Sequence, residues 1–179
     1  MNRKGGSMQF NSQKPLVLII MGSDSDAPIM SETVATLKSL QIPFDTTVAS
    51  AHRTPERVKK LSEQARSQGI EAIIAAAGAA AHLAGVVASH TTLPVIGIPL
   101  ASSSLNGLDA LLSTVQMPGG IPVATMAIGK SGAQNAALFA ASILSIKYPE
   151  IQDALDRFRA NMALQVEKKA EKVKVEFFA

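Results

Sequence analysis

The chain has 179 residues, 47% of them hydrophobic and 17% charged, with a net charge of +3. That length supports one domain with a real core and is too short for two, and so small a basic excess argues against nucleic acid as a partner. There is no cysteine, which excludes disulfides, thiolate catalysis and cysteine-ligated zinc.

Residues 1–14 are polar, lack the apolar core of a signal peptide and are expected to form a flexible N-terminal segment. The longest weakly apolar run, Ala72 to Ala88, is mostly Ala and Gly, contains His82, and barely reaches the ~17–25 residues of a membrane span. A soluble, cytoplasmic protein is expected, with an α/β catalytic domain over 15–149 and a helical extension over 150–179.

Pro15 to Met21 is a continuous apolar run rich in β-branched residues, the pattern of a strand buried on both faces. Gly22 to Ala27 follows as a loop, and Pro28 opens a helix that Pro43 stops. Phe44 to Ala49 is the second strand. After Ser50-Ala51-His52-Arg53, Thr54 is the expected N-cap of a helix with Pro55 in its first position, and Gly69 is placed to end it. Glu71 to Ala77 is a third buried strand, and Gly78 to His82 turns into a short helix ending near His90. Pro94 to Ile98 is the fourth strand, followed by a polar loop over Pro99 to Ser104 and a helix starting near Asn106–Asp109. After a turn-rich stretch, Val123 to Ile128 is the fifth strand. An Ala-rich helix then runs to about Lys147, and Pro149 breaks it.

The last segment, Glu150 to about Val173, is helical. Ile151, Leu155, Phe158, Met162 and Val166 form one apolar stripe on a charged helix. The stripe needs a partner, either the chain's own core or a neighbouring subunit, and the neighbour is favoured. The late Lys and Arg residues interleave with Asp and Glu, the pattern of a solvated helix face.

Five strand–helix alternations predict a three-layer α/β/α sandwich on a flavodoxin-like parallel five-stranded sheet, in the order 2-1-3-4-5. That order brings three loops to one edge: 22–27, 50–54 and 78–82. The first offers Gly22, Ser23, Ser25 and a helix N-terminus, which attract phosphate; it fits a simple capped turn nearly as well. Asp26, last before the helix, is the carboxylate expected to face sugar hydroxyls. In the second loop Arg53 supplies a fork of donors for phosphate, with Ser50 beside it. His52, with an ordinary pKa near ~6.5, suits proton transfer at neutral pH, against the alternative of a structural histidine. The third loop, Gly78 to His82, lets a flat ligand approach the backbone; for His82 helix packing competes with a site role, and His90 is expected to be structural. No metal-ligand spacing, no GxxxxGK[ST] and no GxSxG occur. A phosphorylated small molecule, a sugar phosphate with a flat ring, is the expected ligand.

Met21-Gly22-Ser23-Asp24-Ser25-Asp26, Ser50-Ala51-His52-Arg53-Thr54-Pro55, Ala80-Ala81-His82-Leu83, and Gln116-Met117-Pro118 with Ile121 to Thr125 together resemble the N5-carboxyaminoimidazole ribonucleotide mutase family of bacterial purine biosynthesis. The similarity runs from about Pro15 into the C-terminal helix. It implies an enzyme that moves a carboxylate from the exocyclic nitrogen to carbon 4 of an imidazole ribonucleotide, with His52 in the catalytic position. It also implies Ser23, Ser25, Asp26, Ser50, Arg53, Gly78 and His82 around the substrate, no metal or organic cofactor, and a homo-octamer in which the C-terminal helix packs on neighbours. The alternatives are an aminoimidazole ribonucleotide carboxylase taking carbon dioxide directly and a non-catalytic phosphate-ligand sensor. The chain departs from the family at Ala76 and Ala79, where glycine is usual, and at Ala84, where proline is common; the added methyls are expected to affect closure of the third loop.

Overall fold

A computed structural model describes residues 14–178 of the chain; most of the N-terminal segment expected to be flexible, residues 1–13, lies outside them. Five parallel strands, β1 (Val17–Met21), β2 (Phe44–Val48), β3 (Ala72–Gly78), β4 (Val95–Leu100) and β5 (Ala124–Thr125), lie in the order β2-β1-β3-β4-β5. This is the expected flavodoxin-like order. Six helices connect and follow them: α1 (Ala27–Ser39), α2 (Pro55–Ala65), α3 (Leu83–Ser89), α4 (Leu108–Val115), α5 (Lys130–Ser145) and α6 (Pro149–Phe178).

The alternation of side chains along the strands splits the core into two layers. Val17, Ile19, Ile74, Ala76, Ile96 and Ile98 face α1, α5 and the start of α6. Leu18, Ile20, Ile73, Ala75 and Val95 face α2 and α3. β1, β3 and β4 are buried almost throughout, which is why they read as unbroken apolar runs. β2 lies at the edge and is half exposed.

Small residues set the spacing of these layers. The Ala-rich face of α5 (Ala133, Ala136, Ala137, Ala140) is fully buried against α1 and the sheet, and Thr33 of α1 donates to the Ala133 carbonyl at 2.8 Å. α4 crosses β4 at Gly97, where a Cβ would meet the methyl of Thr114.

Several boundaries differ from expectation. β4 continues through Pro99 to Leu100 instead of ending at Ile98: the Pro99 carbonyl accepts from the N–H of Gly129 at 3.0 Å, and the pairing with β3 runs on past it to Gly78 and Leu100. β5 is only two residues long, not six. α1 ends at Ser39, four residues before Pro43, because Gln41 turns left-handed with φ 58°. α5 stops at Ser145 rather than near Lys147. Thr54 sits at the N-cap position of α2 as expected, but its hydroxyl makes no capping bond and bonds back to Ser50 instead. Gly69 ends the helical stretch after α2 with φ 96°, as expected.

α6 divides the apolar stripe. Ile151 is fully buried, and Leu155 and Phe158 pack on the same core as α5. Met162 and Val166 are exposed, and the helix continues past Val173 to Phe178. The stripe is therefore buried by its own chain at one end and unpartnered at the other. Glu71, at the foot of β3, accepts from Lys147 Nζ at 2.6 Å and from the Tyr148 hydroxyl at 2.7 Å, tying the α5–α6 junction to the sheet.

A Cβ on Gly132 would overlap the carbonyl of Ala127. Gly132→Ala is expected to destabilise the chain by about 1–3 kcal/mol, the usual cost of overpacking. The shift of the chemical-denaturation midpoint measures it, and an unchanged midpoint would show that α5 moves freely at this end.

Candidate functional site

The loop after β1 is closed by its own side chains. Ser23 begins a single helical turn over Asp24–Asp26, and its hydroxyl accepts from the N–H of Ser25 at 3.3 Å. Asp26 Oδ2 accepts in return from the N–H of Ser23 at 3.0 Å, so the two form a reciprocal cap. The Ser25 hydroxyl donates to the Ser23 hydroxyl at 2.9 Å. Asp26 is thus turned into the loop, only 7% exposed, with one oxygen engaged by the backbone, and Asp24 is the exposed carboxylate of the loop. Burial pushes the Asp26 carboxyl above the usual carboxylate range; the N–H groups of Ser23 and Gly22 oppose that, and the charge of Asp24 adds to it.

The loop after β2 folds around Ser50 and Thr54. The Thr54 hydroxyl accepts from the N–H of Ser50 at 2.9 Å and donates to its carbonyl at 3.1 Å, while the Ser50 hydroxyl accepts from the N–H of Arg53 at 3.2 Å. This leaves His52 and Arg53 at the exposed tip. Arg53 reaches the Gly22 carbonyl and the Ser50 hydroxyl only at 3.5 Å, long contacts that leave its guanidinium available to a stronger acceptor. Gly22, Ser23, Asp24, Ser50, Arg53, Thr54 and their neighbours line a hollow of about 430 Å³ between the two loops.

Arg57 also lines this hollow, and sequence reasoning missed it. Its Nε donates to the Val48 carbonyl at 3.1 Å and its Nη2 to the Thr47 hydroxyl at 2.9 Å. The available signal was its position four residues after Arg53, on the same side of the helix start.

The third loop carries His82 to the second. His52 Nε2 lies 2.9 Å from His82 Nδ1, with the rings edge to face at 75°. One nitrogen of this contact donates and the other accepts, so the pair holds a proton between two bases. The sequence had set His82 on the pocket wall without this contact. Gly78 ends β3 with Ser102 packed so closely that a Cβ there would overlap the serine hydroxyl. The loop after β4 is therefore a fourth contributor to this edge, and no local motif announced it.

A larger recess of about 760 Å³ lies at the opposite edge of the sheet, between the C-terminal ends of α2 and α3, and contains His90. It is remote from the His52–His82 pair. Among the described residues no group of three or more His, Asp or Glu is arranged to hold a metal ion, and no helix is long and apolar enough to cross a membrane.

The family model described as AIR carboxylase matches residues 16–165. A Pyrococcus horikoshii protein named N5-carboxyaminoimidazole ribonucleotide mutase is 55% identical over 166 residues, 93% of each chain. A Pseudomonas aeruginosa protein of the same name is 56% identical over 146 residues, covering 82% of this chain and 90% of that one. The crystal structure of Treponema denticola PurE superposes with a TM-score of 0.81 at 31% identity, covering 90% of this chain and 99% of that one.

The raised Asp26 carboxyl has a consequence for stability. A carboxyl raised on folding favours the folded state below its ordinary value, and that contribution is lost as pH rises through the folded value. Asp26→Asn keeps an oxygen for the Ser23 N–H, so it is expected to gain stability relative to the parent as pH climbs from about 3 to 7. Thermal midpoints of both proteins across that range test it; the opposite slope would mean that the cap outweighs burial.

Proposed function

The chain belongs to the AIR carboxylase family, and from that premise we propose that it is an N5-carboxyaminoimidazole ribonucleotide mutase. The observation that carries the proposal is the pairing of His52 with His82 at 2.9 Å beside a hollow lined by Gly22, Ser23, Ser50 and Arg53, within a chain 53–57% identical to proteins of that name. The reaction is a carboxylate transfer within de novo purine synthesis.

The ribonucleotide's phosphate meets the Arg53 guanidinium, the hydroxyls of Ser23, Ser25 and Ser50 and the N–H groups of the first loop. Asp26 acts mainly by holding that loop in shape, with its second oxygen toward the sugar. The imidazole lies along Gly78 and His82. The bond from the exocyclic nitrogen to the carboxylate carbon breaks, its electron pair stays on nitrogen, and His52 supplies the proton that makes the amine. The released carbon dioxide stays against the ring, and carbon 4 attacks it. The carbon 4 proton then returns to His52, so the histidine ends as it began. Confinement makes the recapture intramolecular, an advantage of up to about 7–11 kcal/mol. His82, within hydrogen-bond reach, holds the His52 ring in place through both halves. No metal or organic cofactor is required by this chemistry.

The family description itself names AIR carboxylase, so direct carboxylation by carbon dioxide is the competing reading. Purified protein supplied with the carbamate, or with aminoimidazole ribonucleotide and bicarbonate, separates the two; efficient turnover of the second pair alone would overturn the mutase assignment. His52→Asn is expected to lose at least about a hundredfold in kcat with little change in ribonucleotide affinity. Arg53→Ala is expected to weaken binding by roughly tenfold or more, read by calorimetry; normal turnover by the first variant or unchanged affinity of the second would remove those roles.

We further propose that the chain works in the cytoplasm as a homo-octamer in which residues 150–179 extend from the 15–149 catalytic domain onto neighbouring subunits. The support is apolar surface left without a partner: Met162, Leu164, Val166, Val173, Val175 and Phe177 on α6, and Leu105, Leu108, Leu112 and Val115 in and before α4. A chain ending at Ala160 keeps Ile151, Leu155 and Phe158 on its own core and is expected to lose assembly. Light scattering reads the mass, and an unchanged mass would exclude the outer part of α6 from the interface.

A further inference from the structure

Among the described residues three non-glycine positions have positive φ: Gln41 at 58°, Ala79 at 51° and Asn106 at 50°. Two are ordinary. Gln41 ends α1, where a left-handed residue lets the N–H of Ile42 reach the Leu37 carbonyl, and asparagine tolerates this region better than other residues. Ala79 has neither excuse. It follows a strand, caps no helix, and is exposed, so its methyl gains nothing by burial. Left-handed backbone at an L-alanine is disfavoured by roughly five- to thirtyfold in a local equilibrium. Strain of this kind persists only where the surroundings over-determine it.

The surroundings do so here. Upstream, Gly78 pairs with Leu100 in the sheet and is pressed by Ser102. Downstream, Ala81 and Leu83 are buried, each 2% exposed. Between them the chain makes two successive three-residue turns, with the N–H of Ala81 on the Ala79 carbonyl and the N–H of His82 on the Ala80 carbonyl, both at 2.8 Å. These turns deliver His82 to the start of α3 with its Nδ1 at 2.9 Å from His52 Nε2. We propose that Ala79 is a positioning residue: its left-handed backbone aims His82 at His52, and its methyl confines the loop to that one arrangement. Alanine at positive φ has only the narrow left-handed well, whereas glycine would also open the broad mirror region. The role rests on the assignment of His52 as proton carrier.

The test uses the full-length protein and three variants. Ala79→Gly reaches the same φ without strain, so its unfolding midpoint is expected to rise while kcat falls severalfold at unchanged KM. Ala79→Val cannot hold positive φ, so the loop flips and kcat falls by about a hundredfold, with a much smaller rise in KM, since the phosphate site lies on the other two loops and only the ring's contacts are on this one. Ala79→Val is expected to add nothing to the loss caused by His82→Asn, because both remove the same contact. With ¹⁵N-histidine labelling, the N–N coupling across the His52–His82 hydrogen bond should persist in Ala79→Gly and vanish in Ala79→Val. A lowered midpoint for Ala79→Gly overturns the strain even if the valine variant does not fold. Retained coupling and kcat in Ala79→Val, or losses that multiply with His82→Asn, overturn the positioning role. The coupling needs no substrate, so it reports on Ala79 even if the mutase assignment itself fails.

Discussion

The site depends on one constraint, the double pairing of β1. Its backbone is hydrogen-bonded to β2 on one side and β3 on the other, and the parallel register sets Met21 beside both Val48 and Ala76. All three strands therefore reach the same edge at the same level. Their loops emerge side by side because nothing else lies between them. A one-residue slip of β3 against β1 would turn its buried face over, and with Ala72 to Ala76 buried on both faces the register has no slack.

The second condition is close packing by small side chains. With seven aromatics in the chain, no large anchor sets the distance between layers. Alanines of α5 against α1, Gly97 beneath Thr114 and Gly132 beneath the Ala127 carbonyl set it instead. The same economy of side chain governs the functional edge, where Gly78 admits Ser102 and the Ala79–Ala81 run brings backbone up to the pocket. Small residues make the close approach possible, and they leave the work of holding it to backbone hydrogen bonds and strand register.

Polar groups at this edge fall into two sets. Asp26, Ser50 and Thr54 are largely spent on their own loops. Arg53, His52 and His82 face outward with long contacts or with each other. A site that must bind an anion and move a proton needs both sets: a frame that does not rearrange when the ligand arrives, and donors not already committed to the protein.

The sequence by itself determined the number and order of the strands (though not the ends of β4 and β5), the helix starts near Pro28 and at Pro55, and the family, because buried parallel strands leave unbroken apolar runs and the motif residues are contiguous in the chain. It also pointed to the loops that carry His52, Arg53 and His82. Only the tertiary structure decided what each side chain faces. Asp26 turns inward, since the reciprocal cap with Ser23 satisfies two groups at once. Thr54 holds the N-cap position of α2, but its hydroxyl bonds to Ser50 rather than to the helix, since the loop closes around it. Ser102, twenty-four positions beyond Gly78, meets it through strand pairing alone. The 2.9 Å contact of His52 and His82 spans thirty residues, and the outer end of the apolar stripe on α6 is left exposed while its start is buried beside α5. Local propensity and periodicity report which way a residue points from its own backbone; they carry no information about what arrives opposite it from another strand, and that is where this site is made.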